Sequence, residues 1–384
     1  MPFDFDTPID RTGTSSVKWR RFRSRDVIPM WVADMDFRSP PSVIEALKRR
    51  AGHGVFGYTL PPDDLVQTVI ERFRRLYDWT IDTRWIVWLP GVMPGVNALC
   101  RIAGDPGSEV LTHTPIYPPF LEAPGNMGQH CVRVPMQRGN GRWEIDTDAM
   151  EAAITPRTRT FLLSHPQNPT GRLFTREELT WMVDFCLRHD LLLCSDEIHC
   201  DLVLDPERRH IPTATVFPDA ASLTVTLTAP SKTYNIAGLG CALAIIPNDT
   251  LRAEFKAAIE GIVPHVNLMG YEAALAAYRD GDDWLEALLD YLRENHRIVM
   301  KRVATWPGVK TTPVEATYLA WLDCRGLAVE DPARFFEEAG VGVSDGATFA
   351  SRGFVRLNFG CPRSQLEEAL DRMEKAVGKA GAGG

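Results

Sequence analysis

The sequence predicts an α/β protein: a large domain with a mostly parallel, helix-covered, seven-stranded sheet, plus a smaller α+β domain from the N- and C-terminal segments. Three observations carry that expectation. At 384 residues the chain exceeds what one ordinary core needs. From Ile86 to Pro247 one unit repeats, a short apolar run ending in polar or Gly/Pro residues and often followed by an amphipathic stretch, the signature of strands alternating with helices. After Asn248 the pattern changes to long helical stretches, then to short strands and a final helix.

Taken in order, residues 1–50 precede the first strand of the large sheet and are assigned to the small domain. Residues 51–283 form the large domain, with "WIVWL", "EVLTH", "CVRVPM", "TRTFLLSH", "LLLCS", "LTVTLTA" and "CALAII" as its strands. Between two of these, "TREELTWMVDFCLRH" begins with Thr175, has Glu178 three residues on and spaces its apolar residues helically, which predicts a capped helix. "DTLRAEFKAAIEGIV" and "WLEALLDYLRENHRIVMKRVATW" predict the long helices. Residues 284–384 supply the rest of the small domain: strands "TYLAWLD" and "GFVRLNF" and helix "SQLEEALDRMEKAV". The tail "GKAGAGG" reads as small and flexible.

Composition excludes several classes. Hydrophobic residues at 45%, charged residues at 24%, ten Trp and seventeen Phe describe a folded chain rather than a disordered one. A net charge of -8 argues against a nucleic-acid surface, and "KWRRFRSR" reads as a solvated face. Eight Cys without a CxxC pair, and no leader with an apolar core, predict reduced thiols in a cytoplasmic protein. No apolar stretch approaches the roughly 18 residues of a membrane helix.

In an open parallel sheet, ligands sit beyond the carboxyl ends of the strands. After "WIVWL", "PGVMPG" offers backbone N–H groups to an anion, although an ordinary strand-to-helix turn has the same form. After "FLLSH", "PQNPTG" fixes Asn168 between two prolines, where its amide meets a ligand or merely makes a turn. Asp196 follows the apolar "LLLCS", so its carboxylate is buried and implies a cationic partner or strong donors, in a structural salt bridge or in a catalytic site. Lys232 follows "LTVTLTAPS", in a turn whose small and apolar neighbours push an amine toward its neutral, nucleophilic form, able to condense with an aldehyde. An anion cradle, an amide, a buried carboxylate and a reactive Lys together match the phosphate, ring hydroxyl, ring nitrogen and aldehyde of pyridoxal phosphate.

At this point the chain resembles the pyridoxal-phosphate enzymes of fold type I, the class I/II aminotransferase superfamily. "NPTG", "SDEIH" and "SKTYNIAGL" carry that resemblance. "DRTGTSSVKW", "PMWVADMDF", "FGYT", "LPGVMPG", "TYLAWLD" and "FVRLNFGCPR" resemble its cystathionine β-lyase-like carbon-sulfur lyase branch. The resemblance implies that Lys232 holds the cofactor as a Schiff base, Asp196 pairs with its ring nitrogen, Asn168 donates to its hydroxyl, and Tyr117 stacks on the ring. It implies that Val92, Met93 and Ser231 hold the phosphate, which Tyr58 of a neighbouring subunit also reaches, in a homodimer with shared sites. Arg356 would clamp the substrate α-carboxylate, a two-pronged contact suited to a guanidinium, with the Ala33 backbone alongside and Asn168 nearby.

Two positions depart from the aminotransferase pattern. His199 stands where many members have a Tyr, and reads as a supporting residue near the ring rather than a metal ligand. Gly240 stands where many have a phosphate-binding Arg. The expected reaction is β-elimination of a sulfur leaving group from L-cystathionine or a cysteine S-conjugate, with Lys232 as general base and Tyr117 or Lys232 as proton donor. An aminotransferase and a non-catalytic, cofactor-binding regulator are the alternatives; regulators of this kind usually carry a DNA-binding domain ahead of the fold, for which the family pattern here begins too early.

Overall fold

β-branched and aliphatic runs between Gly/Pro breaks form seven strands: β1 (Ile86–Leu89), β2 (Glu109–Thr114), β3 (His130–Pro135), β4 (Thr158–Ser164), β5 (Leu192–Asp196), β6 (Thr224–Thr228) and β7 (Ala242–Ile245). The computed structural model, which describes residues 3–139 and 141–382, joins them into one sheet in the order β1-β7-β6-β5-β4-β2-β3. All neighbours are parallel except β7, which runs antiparallel to both β1 and β6.

Period-2 alternation sends successive side chains to opposite faces. Phe161 and Leu163 of β4 and Leu193 of β5 join a cluster with Leu179, Met182 and Phe185 of the helix Arg176–Arg188. Leu162 and Cys194 face the other way, toward Val96 and Leu99 of α1 (Val92–Ala103) and Phe255 of the helix Asp249–Ile259. The sheet is thus covered on both faces. The helix 176–188 starts at a complete capping box, with Glu178 N–H donating to the Thr175 hydroxyl and Thr175 N–H to the Glu178 carboxylate.

A four-stranded sheet lies in the C-terminal part: β8 (Lys310–Thr311), β9 (Leu319–Asp323), β10 (Ser344–Asp345) and β11 (Phe354–Asn358), in the order β8-β9-β11-β10. The N-terminal segment docks here, Ile28–Pro29 pairing in parallel with Val341–Gly342. The helix Pro41–His53 instead packs on Leu268–Asp280. The short strands β8 and β10 and the hairpin of Gln137–Gly139 with Arg142–Glu144 have too few residues to show periodicity in the sequence. One expectation is corrected at the C terminus: the last helix, Arg363–Ala382, runs through most of "GKAGAGG", because Leu366, Leu370, Met373 and Val377 bury one face and carry it onward. Gly383 and Gly384 lie outside the described residues.

Candidate active site

The parallel strands bring their carboxyl ends to one edge of the sheet, and β7, running the other way, brings its amino end to the same edge. A cavity of about 750 Å3 opens there. Ala33, Val92, Met93, Tyr117, Asn168, Asp196, His199, Ser231, Lys232 and Arg356 all line it. Tyr58 does not: it is fully exposed, in a segment where Val55, Phe56 and Leu60 are exposed too.

Lys232 sits in the turn after β6, and its Nζ donates to the Ala33 carbonyl at 2.8 Å. Desolvation pushes its amine down to about 8; nearby Arg356 adds to the shift, while Asp34 and Asp196 oppose it. Asp196 ends β5. Burial raises its carboxyl to about 7, against the Ile198 N–H that donates to Oδ1 at 3.1 Å and against the Lys232 charge. Among the described residues no cation lies within 4.0 Å of this carboxylate.

Asn168 is carried by a tied-down turn, in which Gln167 Nε2 donates to the Pro115 carbonyl at 2.6 Å and the Thr170 N–H donates to Gln167 Oε1 at 2.8 Å. Asn168 Oδ1 accepts from Arg356 Nη1 at 2.9 Å. Arg356 lies in β11 between β9 and β10, its Nη2 donating to the Trp31 carbonyl at 2.9 Å and to Ser344 Oγ at 3.3 Å. Its Nε has no partner and, among the described residues, no carboxylate is within 4.0 Å; burial lowers the guanidinium to about 10.

Val92 and Met93 open α1 behind Gly91 at the cavity wall, with no side-chain cap, and N–H groups in the first turn of a helix have no acceptor within it. Tyr117 precedes the helix Pro118–Asn126; burial raises its phenol, which keeps its proton near neutral pH. Burial holds the His199 imidazole down at about 3, neutral, and its Nδ1 has no partner among the described residues. Ser231 completes the wall beside Lys232.

These are the complements of one molecule. An unpaired helix start suits a phosphate, a buried carboxylate without a cation suits a protonated ring nitrogen, a neutral-prone amine suits an aldehyde, and a buried guanidinium without an anion suits a carboxylate. The donor set fits pyridoxal phosphate with an amino acid beside it.

The sequence over residues 25–373 matches the family model described as aminotransferase class I and II. The chain belongs to the class I and II aminotransferase family. Within that family it is 35% identical to cystathionine β-lyase PatB of Bacillus subtilis (strain 168), over 97% of this chain and 100% of the relative. Among solved structures it superposes on OvoB with a TM-score of 0.96 at 45% identity, covering 98% of this chain and 99% of the other. It superposes on cystalysin from Treponema denticola, which contains a pyridoxal 5'-phosphate cofactor, with a TM-score of 0.94 at 33% identity, covering 99% and 100%.

The departures from the aminotransferase pattern have a physical form. Gly240 adopts φ +59°, left-handed backbone that favours glycine, and a Cβ there would meet the Pro90 carbonyl oxygen at 3.2 Å. An Arg in this position would therefore be strained. Sequence reasoning missed Trp31 and Ser344, which hold Arg356, and Tyr318, whose hydroxyl donates to the Ala33 carbonyl at 2.9 Å. Trp31 and Tyr318 lie inside "PMWVADMDF" and "TYLAWLD", so the stretches were visible and the backbone contacts were not.

Proposed function

We propose that the protein is a pyridoxal-phosphate-dependent carbon-sulfur β-lyase that eliminates a thiol from L-cystathionine or a cysteine S-conjugate, giving pyruvate and ammonia. The observation that carries this reading is the placement of an amine tuned to about 8, Lys232, between a buried carboxylate, Asp196, and a buried guanidinium, Arg356, neither of which has a counter-ion among the described residues. Its similarity to PatB supports the choice of sulfur amino acids.

Bound pyridoxal phosphate supplies an electrophilic aldehyde and an electron-withdrawing ring that lowers the acidity barrier at the substrate Cα. Asp196 would bind the ring nitrogen and keep it protonated, Asn168 would donate to the ring hydroxyl, and Tyr117 would pack against the ring. Val92, Met93 and Ser231 would hold the phosphate. Arg356 binds the α-carboxylate through its two terminal nitrogens and so orients the Cα–H bond. Lys232, as the neutral amine, takes that proton. The C–S bond then breaks with its electron pair leaving on sulfur, and the thiolate takes a proton from Lys232 or Tyr117. Water converts the remaining 2-aminoacrylate to pyruvate and ammonium.

The working unit is a homodimer in this reading. The phosphate site has no side-chain cation at Gly240, and Tyr58 stands fully exposed, as a residue serving a neighbouring subunit would. Exposed Val55, Phe56 and Leu60 beside it support burial against a second copy.

Replacing Lys232 tests the chemistry. Lys232→Ala is expected to lower kcat by about 10²–10⁴-fold, the usual weight of a general base, and to abolish borohydride-stable attachment of the cofactor. Full lyase turnover by Lys232→Ala would overturn the reading.

A further inference from the structure

The stretch "DRTGTSSVKW" has no part in the chemistry above, yet it builds the most highly coordinated carboxylate in the molecule's N-terminal segment. Asp36 Oδ1 accepts from Arg11 Nη1 at 2.7 Å and from Trp19 Nε1 at 2.9 Å; Oδ2 accepts from Lys18 Nζ at 2.7 Å and from Gln365 Nε2 at 3.1 Å. Lys18 is wholly buried and Asp36 nearly so. Burial pushes the Asp36 carboxyl up, but Lys18 and the other donors outweigh it and hold it below the usual range.

The backbone from Met30 to Asp34 passes beside this cluster, bending at Val32–Asp34, and its carbonyls alternate in what they meet. Those of Met30, Val32 and Asp34 accept from Asn358: from its N–H at 2.9 Å, and from its Nδ2 at 2.5 Å and 2.8 Å. Lys18 Nζ adds a bond to the Asp34 carbonyl at 3.2 Å. The carbonyls between them meet the site: that of Trp31 accepts from Arg356 and Ser344, and that of Ala33 from Lys232 and Tyr318. Because the two sets belong to alternate residues of one short segment, joined by planar peptide units, whatever fixes one set constrains the other.

We propose that Asn358 and the Lys18–Asp36 cluster are positioning residues that hold this segment, and through its two inward carbonyls set both the Lys232 amine and the Arg356 guanidinium. The strap has one anchored face and one working face. A deletion at the anchored face therefore reaches two groups whose side chains it does not touch. This inference rests on the roles given above to Lys232 and Arg356, but its first readout needs neither cofactor nor turnover.

Asn358→Ser removes the amide bonds to the strap without changing charge; Arg356, Asp34 and Asp196, the charged groups that bear on Lys232, remain. In the apoprotein, labelling of Lys232 by an amine-reactive reagent, located by mass spectrometry, follows the neutral amine and has its midpoint near pH 8 in the wild type. In Asn358→Ser the ammonium loses a fixed acceptor, so the midpoint falls by about half a unit or more. In the loaded enzyme, KM for L-cystathionine rises about fivefold or more as Arg356 loses its setting. Gln365→Ala, which removes one neutral donor from a half-buried side chain, shifts both in the same direction by less, and carries the test if Asn358→Ser does not fold. An unchanged midpoint and KM accompanied only by a lower melting temperature would overturn the proposal. Failure of the lyase reading itself would appear in the wild type, as an absence of pyruvate.

Discussion

Lys232 illustrates how a single side chain acquires its chemistry from its surroundings. Its amine is drawn toward neutrality mainly by desolvation, while Asp34 and Asp196 retain part of the positive charge and the Ala33 carbonyl orients it. Only the neutral amine can attack an aldehyde, so the sign follows: uptake of pyridoxal phosphate by the apoprotein accelerates as pH rises through about 8 and levels off above it. Stopped-flow absorbance of cofactor binding measures this, and a rate that is flat between about pH 6.5 and 9.5 would contradict it. At this scale the sequence was informative where a residue broke its local pattern. A Lys after "LTVTLTAPS" and an Asp after "LLLCS" stand out because apolar runs precede them. Trp31, Ala33 and Ser344 act through a backbone carbonyl or a small hydroxyl, which any residue in many settings can offer, and nothing local distinguishes them.

Helix α1 joins element and site. Its start is held against the sheet by Gly95, where a Cβ would come within 2.7 Å of Leu227 Cδ2 and 3.0 Å of Leu89 Cδ1, both in fully buried side chains. Gly95→Ala forces the helix outward at the turn that presents the Val92 and Met93 N–H groups. Overpacking of this kind costs about 1–3 kcal/mol, and the displacement is expected to weaken cofactor affinity severalfold. Thermal melting and equilibrium titration with pyridoxal phosphate check the two parts; unchanged affinity would mean that the helix start is not the phosphate site. The large sheet was legible because its strands are runs of four to seven residues bounded by breakers, and the capped helix because Thr175 and Glu178 announce its start. The small sheet was half legible: β9 and β11 are five-residue, largely apolar runs, whereas two-residue β8 and β10 form only because the longer strands offer them an edge.

The whole molecule carries buried imidazoles as a pH-dependent load. Burial lowers His113 and His296 to about 4 and His199 to about 3, and holds His165 well below its ordinary value. In the unfolded chain each takes up a proton below about pH 6.5, so the folded state loses stability as pH falls from there toward 4, by up to about 1.4 kcal/mol per pH unit for each imidazole. Asp196 opposes this in the apoprotein: its carboxyl, raised to about 7, is protonated in the folded state before the unfolded one. The imidazoles outnumber it. Melting temperatures of the apoprotein are expected to fall steadily from pH 6.5 to about 4.5, and a flat profile would contradict the burial of these rings as neutral groups. Cooperation between Arg356 of the four-stranded sheet and Lys232 and Asp196 at the edge of the seven-stranded one is also a property of the whole, since residues far apart in sequence reach one cavity only through the fold. That convergence is what the lyase reading requires, and product analysis tests it most directly. Purified enzyme loaded with pyridoxal phosphate and given L-cystathionine, with no 2-oxo acid added, is expected to release pyruvate, ammonium and homocysteine in equal amounts over many turnovers. A single turnover that stops with the cofactor in its amine form, and resumes only when a 2-oxo acid is supplied, would contradict it.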